Sequence, residues 1–506
     1  MTNNIIDDDN IDNELVLAAE DCPKDSFAKY HYFSAHEQSI ITRLKAHGPV
    51  LLRGGRGSGK SALFIETYNR IINVEHILAI YKSLRNISLI RSEGKQYEEL
   101  LCRIIIDSVK ERLNELGLSY DFHSDAEAAS LQKSLVYLCS VINRRIVILL
   151  DDVAHIGREQ PLEEFFDIFR TLSSDYVSLK ATIYPGVTNF GKRFDVYNDA
   201  TVIDIIRDER SQSFGEFFIE VIKRRYSKLL TKITPRSGLT EANIASFLGR
   251  SVVGNMRALI KACSFLADKE KLGLTELGEC LIYLAENYYW PLLDEVAPKL
   301  GKFKPLIKPC KNLASEIFKR VSSSKEDPNE EGSTALYKDS VIIHRDLVQK
   351  YLKLLEILEY TGFISRREVS RAMKSGGRGT RYSVNLCNLI EELKGARLTQ
   401  AIFDNWLEKN DPVEIWTRTS SFEIEIPELN EKEELEILTL GIEKLEKSNA
   451  YPYGLTDKMI TKLQEAGYTK ILDLSEASEE DLRKIFKIGP KIAERIKNTV
   501  EQAIWM

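Results

Sequence analysis

The chain has 506 residues, which is too long for a single ordinary hydrophobic core, so three or four domains are expected. Hydrophobic residues make up 43% and charged residues 29% of the sequence, as in an ordinary globular protein. The seven cysteines lie far apart without a C-x-x-C pair, which argues against a disulfide framework and against a zinc site. Since no apolar run reaches the length of a membrane span and no signal-peptide pattern opens the chain, we expect a cytoplasmic protein.

The N-terminal segment is strongly acidic. Residues 1–20 carry six acids and no base, whereas the formal net charge of the whole chain is −6. The remaining 486 residues therefore sum to zero, and a basic face elsewhere is not excluded. We expect residues 1–24 to form a disordered acidic tail.

A phosphate-binding loop is the first functional motif. Residues 54–61 fit G-x-x-x-x-G-K-[S/T] at every fixed position, between an apolar run at 50–52 and a helix-compatible run. Glycines let consecutive backbone N–H groups converge on phosphate oxygens, and the helix N-terminus adds partial positive charge. We expect Lys60 to reach the β- and γ-phosphates and the Ser61 hydroxyl to ligate Mg²⁺. The predicted nucleotide-binding residues are Gly54, Gly55, Arg56, Gly57, Ser58, Gly59, Lys60 and Ser61.

Apolar runs then alternate with helical stretches, as in a parallel α/β unit. The run at 145–150 ends in Asp151 and Asp152, and paired acids at the carboxyl end of a buried parallel strand face the ligand crevice. We expect Asp151 to hold the Mg²⁺ shell and Asp152 to orient or deprotonate the attacking water. The alternative is that the two acids only cap a following helix.

Further residues are candidates for sensing the γ-phosphate. After the predicted strand at 179–184, Thr188 is the first choice and Thr182 the second, although both are also consistent with ordinary turn or strand threonines. An arginine in this region is a candidate finger toward a neighbouring subunit's γ-phosphate. Arg193 is our choice, and Arg207 and Arg210 compete with it; a solvated surface charge is the alternative for each.

The segment G-N-M-R-A-L at 254–259 resembles the G-N-x-R-x-L signature of the lid domain in AAA+ ATPases. This resemblance implies that Arg257 is a second sensor, reaching over the bound nucleotide. The order of phosphate loop, acid pair, polar strand end and lid arginine is similar to the initiator branch, which contains origin-recognition and helicase-loader ATPases. The resemblance covers roughly residues 25–270 and implies ATP as the nucleotide and self-association through the ATPase interface.

Two observations keep alternatives open. Many relatives carry Glu where this chain has Asp152, so slow turnover or a nucleotide switch is an alternative to active hydrolysis. The signal-transduction ATPases with numerous domains share the acid pair and a winged-helix domain, and are the competing resemblance.

A basic hairpin is predicted beyond the lid. Residues 361–385 predict strand, Gly-rich turn and strand after a helix, the layout of a winged helix with its wing tip at 374–379. Six bases against one acid are the electrostatic footprint of a phosphate-backbone contact, and a protein-binding winged helix is the alternative. The candidate DNA contacts are Arg366, Arg367, Arg371, Lys374, Arg378 and Arg381.

The pattern K-I-G-P-K-x-A-x-x-I at 487–496 resembles the hairpin of helix–hairpin–helix modules. In such modules a glycine turn lets backbone N–H groups approach a DNA phosphate. We therefore expect Gly489 to supply the turn and Lys491 and Arg495 to flank the phosphate. These modules bind DNA with little base readout, and some dock proteins instead.

Together the motifs predict an α/β AAA+ core, a parallel sheet flanked by helices with a helical lid, followed by winged-helix and all-α helix–hairpin–helix domains. We expect an Mg²⁺-dependent ATPase whose nucleotide state controls DNA binding or assembly on DNA, as a loader, a regulator, or a defence or mobile-element ATPase. The alternative is a nucleotide-gated signalling or scaffold protein whose C-terminal modules bind protein partners. The predicted domains are a tail (1–24), core (25–210), lid (211–272), winged helix with a loop at 322–334 (273–400), acidic connector (401–450) and helix–hairpin–helix domain (451–506).

Overall fold

The computed structural model describes most of the chain. The described residues are 19–20, 22–85, 89, 92–153, 160–186, 190–191, 193–211, 213–234, 238–323, 338–392, 397–408, 412–415, 423–429, 436–447 and 454–505. In these ranges, no helix combines the length and the apolar character that crossing a membrane requires. The predicted acidic tail at 1–24 and the predicted loop at 322–334 lie mostly outside them.

A five-stranded parallel sheet forms the N-terminal part, in the order β2-β3-β4-β1-β5. Its strands are β1 (Val50–Arg53), β2 (Ile77–Ser83), β3 (Arg145–Asp151), β4 (Val177–Ile183) and β5 (Thr201–Asp204). The apolar runs of β3 and β4 are buried, as expected of central parallel strands covered on both faces. The predicted parallel α/β core is confirmed.

Helices cover both faces of this sheet. They are α1 (Lys24–Tyr30), α2 (Ala35–Lys45), α3 (Lys60–Ile71), α4 (Gly94–Glu115), α5 (Ala128–Ile142) and α6 (Gln160–Leu172). Side chains alternate across each strand, so Ile148 packs in the core under α4, α5 and α6, while Leu149 packs under α2 and α3.

A helical region follows the sheet. Its helices are α7 (Ser213–Arg225), α8 (Glu241–Ser251), α9 (Met256–Ala267), α10 (Leu274–Leu284), α11 (Trp290–Val296) and α12 (Ile307–Ser323). A π-helical turn, Ala285–Tyr289, joins α10 to α11, and short 3₁₀ helices lie at Leu230–Lys232, Ala297–Lys299 and Gly301–Leu306. One hydrophobic core contains buried residues from Tyr184 to Ile415, and nearly all of them lie at or after Phe214. The predicted lid therefore shares its core with the region after it.

The second sheet has four strands in the order β7-β8-β6-β9. They are β6 (Ser340–His344), β7 (Ile364–Ala372), β8 (Arg378–Val384) and β9 (Val413–Ile415), with helices α13 (Arg345–Lys350), α14 (Leu352–Thr361), α15 (Leu386–Glu392) and α16 (Gln400–Leu407). Strands β7 and β8 form an antiparallel hairpin. Because β9 pairs with β6, part of the predicted connector at 401–450 belongs to this sheet.

The C-terminal module consists of α17 (Asp457–Glu465), α18 (Ile471–Glu476), α19 (Glu479–Arg483) and α20 (Pro490–Trp505). It has a hydrophobic core of its own. That core includes Ile437 and Leu445 from the 3₁₀ helices Glu436–Thr439 and Ile442–Leu445. The packed unit thus begins near residue 436, ahead of the predicted boundary at 451.

Candidate nucleotide site and nucleic-acid surfaces

The phosphate loop, residues 54–59, joins the end of β1 to the start of α3. Gly57 and Gly59 have φ values of +75° and +95°, in the left-handed region where glycine carries no steric cost. A Cβ added at Gly57 would overlap Oδ1 of Asn255, and one at Gly54 would overlap Oγ of Ser58. The glycines of the motif are therefore required both by the turn and by close packing.

Lys60 is buried at the start of α3. Its Nζ donates to the carbonyl oxygens of Gly54, at 2.9 Å, and Gly55, at 3.1 Å, and lies 3.7 Å from the ring centre of Tyr184. Burial lowers the pKa of Lys60, and the charges of Asp152 and Asp151 act in the opposite direction. The ammonium group is thus held inside the loop, between backbone carbonyls and an aromatic face.

The acid pair lies at the carboxyl end of β3, beside the loop. Asp151 is fully buried, and its Oδ1 accepts from Oγ1 of Thr182 at 2.6 Å, while Oδ2 accepts from the Tyr81 hydroxyl at 3.1 Å. Burial, followed by the charge of Asp152, raises the pKa of Asp151, and the hydrogen bond from Thr182 counteracts this rise. Register explains the cluster, because parallel pairing brings the ends of β2, β3 and β4 to one edge of the sheet.

Asp152 has a constrained geometry. Its φ of +53° is left-handed, a conformation that costs a non-glycine residue about 1–2 kcal/mol. Its backbone N donates to Oγ1 of Thr182 at 2.9 Å. Its carboxylate is held by Arg85, with Nε 2.8 Å from Oδ2, and by the Ser83 hydroxyl at 3.3 Å. Arg85 in turn pairs with Glu20 at 3.1 Å.

Arg85 and Glu20 were missed by sequence reasoning. Arg85 follows the strand beside the acid-bearing one by two residues, a position that could have drawn attention to it. Glu20 belongs to the segment predicted as a disordered tail, yet carboxylate oxygens of Glu20, Asp151 and Asp152 lie within 4.8 Å of one another. Oxygen donors of this kind, together with the nearby Ser61 hydroxyl, fit a hard cation such as Mg²⁺.

The lid contacts the phosphate loop directly. Asn255 caps α9, with Oδ1 accepting from the backbone N of Arg257 at 3.1 Å and of Ala258 at 3.2 Å. The backbone N of Met256 donates to the carbonyl of Gly57 at 2.8 Å. Arg257 thus lies in the first turn of α9 and lines the cleft over the loop.

Arg207 also reaches the loop of its own chain. Its Nη1 donates to the Ser58 carbonyl at 3.0 Å, and Nη2 pairs with Glu37 at 2.8 Å. Arg210 pairs with Glu368 at 3.4 Å. Arg193 is exposed and does not line the cleft, and Thr188 lies outside the described residues, so the structure gives no position for the first-choice sensor.

The N-terminal segment closes the other side of the cleft with aromatic side chains. The Phe27 and His31 rings stack at 4.1 Å, and His31 Nδ1 contacts the Phe27 carbonyl at 3.0 Å. Burial and the charge of Arg225 lower the pKa of His31 to about 4, so the ring is neutral at pH 7. The aromatic residues that line this side are Tyr30, His31, Tyr32, Phe33 and Phe217.

The helix α14 contacts the phosphate loop opposite the lid. The backbone N of Arg56 donates to the carbonyl of Tyr360 at 3.0 Å, and the Tyr360 and Tyr184 rings pack edge to face at 5.0 Å. Lys353 Nζ donates to the carbonyl of Gly186 at 3.0 Å. The loop is therefore held between α9 of the lid and α14, the helix that leads into the β7–β8 hairpin.

The six basic side chains of this hairpin that were predicted to contact DNA divide into two groups. Arg367 and Arg381 are turned into the molecule, where their side chains are 6% and 4% exposed beside Glu209. The expectation that these two contact DNA does not agree with this structure, because their charges are paired and covered. The other four retain exposed or half-exposed side chains: Arg366, Arg371, Lys374 and Arg378.

In the C-terminal module, Gly489, Lys491 and Arg495 are exposed at or near the start of α20. The turn residue differs from the prediction. Lys487, with φ of +65°, takes the left-handed conformation, whereas Gly489 does not. A Cβ at Gly489 would meet no atom within 4 Å, so the bend of the hairpin does not depend on that glycine.

The described residues form a parallel α/β core with the phosphate loop at the end of β1 and the acid pair at the end of β3. No protein-family model matches the chain, and no curated protein matches it in sequence. It is similar to the Orc1 protein of Aeropyrum pernix solved in complex with DNA, with 15% identity over 74% of this chain and 92% of that chain, at a TM-score of 0.32.

Two further solved structures resemble it to a similar degree. Cdc6p from Pyrobaculum aerophilum is 12% identical over 73% of this chain and 98% of that chain, at a TM-score of 0.34. Drosophila ORC bound to DNA is 12% identical over 72% of this chain and 95% of that chain, at a TM-score of 0.32. The fold and the roles proposed below rest on the residues and contacts of this chain and not on these similarities.

Proposed function

We propose that the chain binds ATP with Mg²⁺ in the cleft over residues 54–61, hydrolyses it, and uses its nucleotide state to control binding to DNA. The observation that carries this proposal is the position of the phosphate loop between two other parts of the chain. Gly57 is hydrogen-bonded to the first turn of α9, and Arg56 to the last turn of α14. A triphosphate that reshapes this loop acts at once on the lid and on the helix that leads to the basic hairpin.

Each site residue has a proposed role. Lys60 exchanges its carbonyl acceptors for β- and γ-phosphate oxygens, and Arg257 reaches the nucleotide from the lid. Asp152 orients or deprotonates the attacking water once its carboxylate leaves Arg85. Thr182 positions both acids through its hydroxyl. The neutral aromatic side of the cleft fits the base of the nucleotide.

Ser61 and Asp151 are the residues that would hold Mg²⁺, because a hydroxyl and a carboxylate provide the oxygen ligands it prefers. When bound, the ion neutralises charge that develops between the β- and γ-phosphates. Ser61 ends the phosphate-loop motif and Asp151 ends β3 beside it, so both groups belong to the same edge of the sheet.

The nucleotide part of the proposal is tested by two substitutions. Lys60→Ala should abolish binding of a fluorescent ATP analogue, while Lys82→Ala, at an exposed position of β2, should bind normally. Asp152→Asn should bind ATP and fail to turn it over, and Asp175→Asn, the same change before β4, should hydrolyse normally. Wild-type turnover by Asp152→Asn would show that the water-activating role belongs to another residue.

The DNA-binding part of the proposal is tested by reversing the charge of exposed basic side chains. Arg378→Glu combined with Lys491→Glu should abolish salt-dependent duplex binding, since each removes a cation that a phosphate can contact. The matched control reverses Arg103 and Lys271, two exposed cations on other surfaces, to Glu. Absence of any DNA affinity at low salt would reject DNA binding and favour the nucleotide-gated scaffold whose C-terminal modules bind protein partners.

Self-association is part of the proposal. Arg193 is exposed and does not line the cleft of its own chain, as a finger toward a neighbouring subunit requires. Mass measurement in solution with a non-hydrolysable ATP analogue should show assembly. Arg193→Ala should preserve ATP binding and lower turnover within that assembly.

A further inference from the structure

We infer that the C-terminal hairpin presents Phe486 to an unstacked base, so that this module favours nucleic acid with unpaired or displaced bases over intact duplex. This inference rests on the proposed DNA binding and adds a structural preference to it. Backbone contacts through Lys491 and Arg495 supply no such preference, because every duplex offers the same phosphates.

Phe486 is far more exposed than a core residue would be. Its side chain is 78% exposed on the turn between α19 and α20, and no other phenylalanine of the described residues is exposed. The next apolar residue, Ile488, is 5% exposed and packs in the core of the module. The fold therefore has no need of the Phe486 ring, and leaving it in water is unfavourable by the usual transfer free energy of an aromatic side chain.

The backbone of the turn is also unfavourable in isolation. Lys487 is left-handed, with φ of +65°, where a non-glycine residue loses about 1–2 kcal/mol. Its Nζ lies 5.1 Å from the ring centre of Phe486. The turn thus combines an exposed ring, a strained backbone and a cation beside the ring, and strain of this kind concentrates at binding sites.

Charge around the ring identifies the partner. Arg483 and Lys484 are paired with Glu479 and Asp481, each at 2.7 Å. A second group, exposed around the turn, has no acidic partner among the described residues; it consists of Lys487, Lys491 and Arg495. An apolar protein pocket would have to remove water from these cations without compensation, whereas a polyanion neutralises them.

A shallow groove beside the ring provides room for a base. Phe486 and Tyr468 both line it, with Lys462 and Lys484 as its cations and Glu465 and Asp481 as its acids. Asp481 is already paired with Lys484. The charges of the groove itself balance, and the exposed cations Lys487, Lys491 and Arg495 lie on the turn and helix that follow Phe486. Aromatic rings beside exposed cations are the usual arrangement for stacking on bases without sequence preference, since every base has a π face.

The experiment measures binding of the full chain to three DNAs of one sequence by fluorescence anisotropy: an intact duplex, the duplex with one bulged base, and a single-strand–duplex junction. Wild type should bind the bulge and the junction about fivefold or more tightly than the intact duplex. Phe486→Ala should remove that preference and bind the intact duplex as wild type does. Val369→Ala, which truncates another exposed apolar side chain (68% exposed), is the matched control and should retain the preference.

A second readout follows the base itself. With 2-aminopurine at the bulge, wild type should quench its fluorescence by stacking, and Phe486→Ala should not. Equal binding of wild type to all three DNAs, or an unchanged preference in Phe486→Ala, would overturn the inference while leaving DNA binding intact. Failure to bind any of the DNAs would overturn both, and Phe486 would then fit a protein partner.

Discussion

Arg367 Nε lies 2.7 Å from Oε2 of Glu209, and both side chains are 6% exposed. Glu209 follows β5 of the parallel sheet, whereas Arg367 belongs to β7 of the hairpin. Ser383 donates its hydroxyl to Oε1 of Glu209 at 2.6 Å, and Arg381 approaches the same oxygen at 3.4 Å. One buried carboxylate thus holds both strands of the hairpin against the core.

Glu209→Gln should destabilise the protein by about 3 kcal/mol or more, because it leaves the buried Arg367 guanidinium without a counter-charge and Arg381 with only the half-exposed Glu368. The matched control is Glu368→Gln, whose side chain is 40% exposed and pairs with Arg371 and Arg381. Its expected cost is below about 1 kcal/mol. Urea unfolding followed by tryptophan fluorescence measures the loss of unfolding free energy in both variants. Equal losses would show that Glu209 is not the main contact between the hairpin and the core.

The contact between Glu209 and Arg367 predicts that the free energy of unfolding depends on pH in the acid range. Burial alone would raise the pKa of Glu209, but Arg367 and the Ser383 hydroxyl outweigh it and lower this pKa to about 2. The stabilisation is therefore complete above the unfolded-state pKa, about 4.3, and is lost as the pH falls toward 2. The difference in unfolding free energy between wild type and Glu209→Gln should shrink between pH 5 and pH 3. A constant difference would contradict the assignment.

Gly57→Ala should weaken ATP binding by about tenfold or more, because it combines a left-handed φ with an overlap on Asn255. Either the loop or the first turn of α9 has to move. Gly489→Ala is the control, since it introduces the same methyl group in open space without a left-handed backbone. Titration with a fluorescent ATP analogue measures the affinity of both variants. Normal affinity in Gly57→Ala would show that the first turn of α9 can move aside without loss of ATP binding.

Lys487→Gly should stabilise the C-terminal module by about 1 kcal/mol, because glycine relieves the left-handed strain. Lys491→Gly should have the opposite effect, since residue 491 lies in the first turn of α20, where glycine is unfavourable. Amide hydrogen exchange of α20 measures both changes in the full chain. Reduced protection in Lys487→Gly would mean that the lysine side chain stabilises the turn.

Much of the parallel α/β core could be predicted because its signals are local. The loop at 54–61 is one uninterrupted motif, and the acids at 151 and 152 end a strand whose apolar run shows that it is buried. Parallel pairing then places strand ends together regardless of what lies between them. Thr182, the second-choice sensor, contacts both acids for this reason.

Other features depended on contacts that no local pattern encodes. Arg367, Arg371 and Arg378 belong to the same basic segment, yet only the side chain of Arg367 is buried. Its partner is Glu209, which lies 158 positions away along the chain, so no local pattern predicts the contact. Similarly, Arg85 forms its ion pair with Asp152 because β2 and β3 are neighbours in the sheet.

The sequence by itself therefore determined the phosphate loop, the acid pair and the parallel sheet, since each follows from adjacent residues or from a strand's own periodicity. Only the tertiary structure decided which arginines face the solvent, that α9 and α14 hold the loop from two sides, and that Lys487 rather than Gly489 bends the hairpin. The physical reason is that burial, charge pairing and backbone strain are set by residues brought together through folding. Their partners are remote in the chain, and a motif describes only its own neighbourhood.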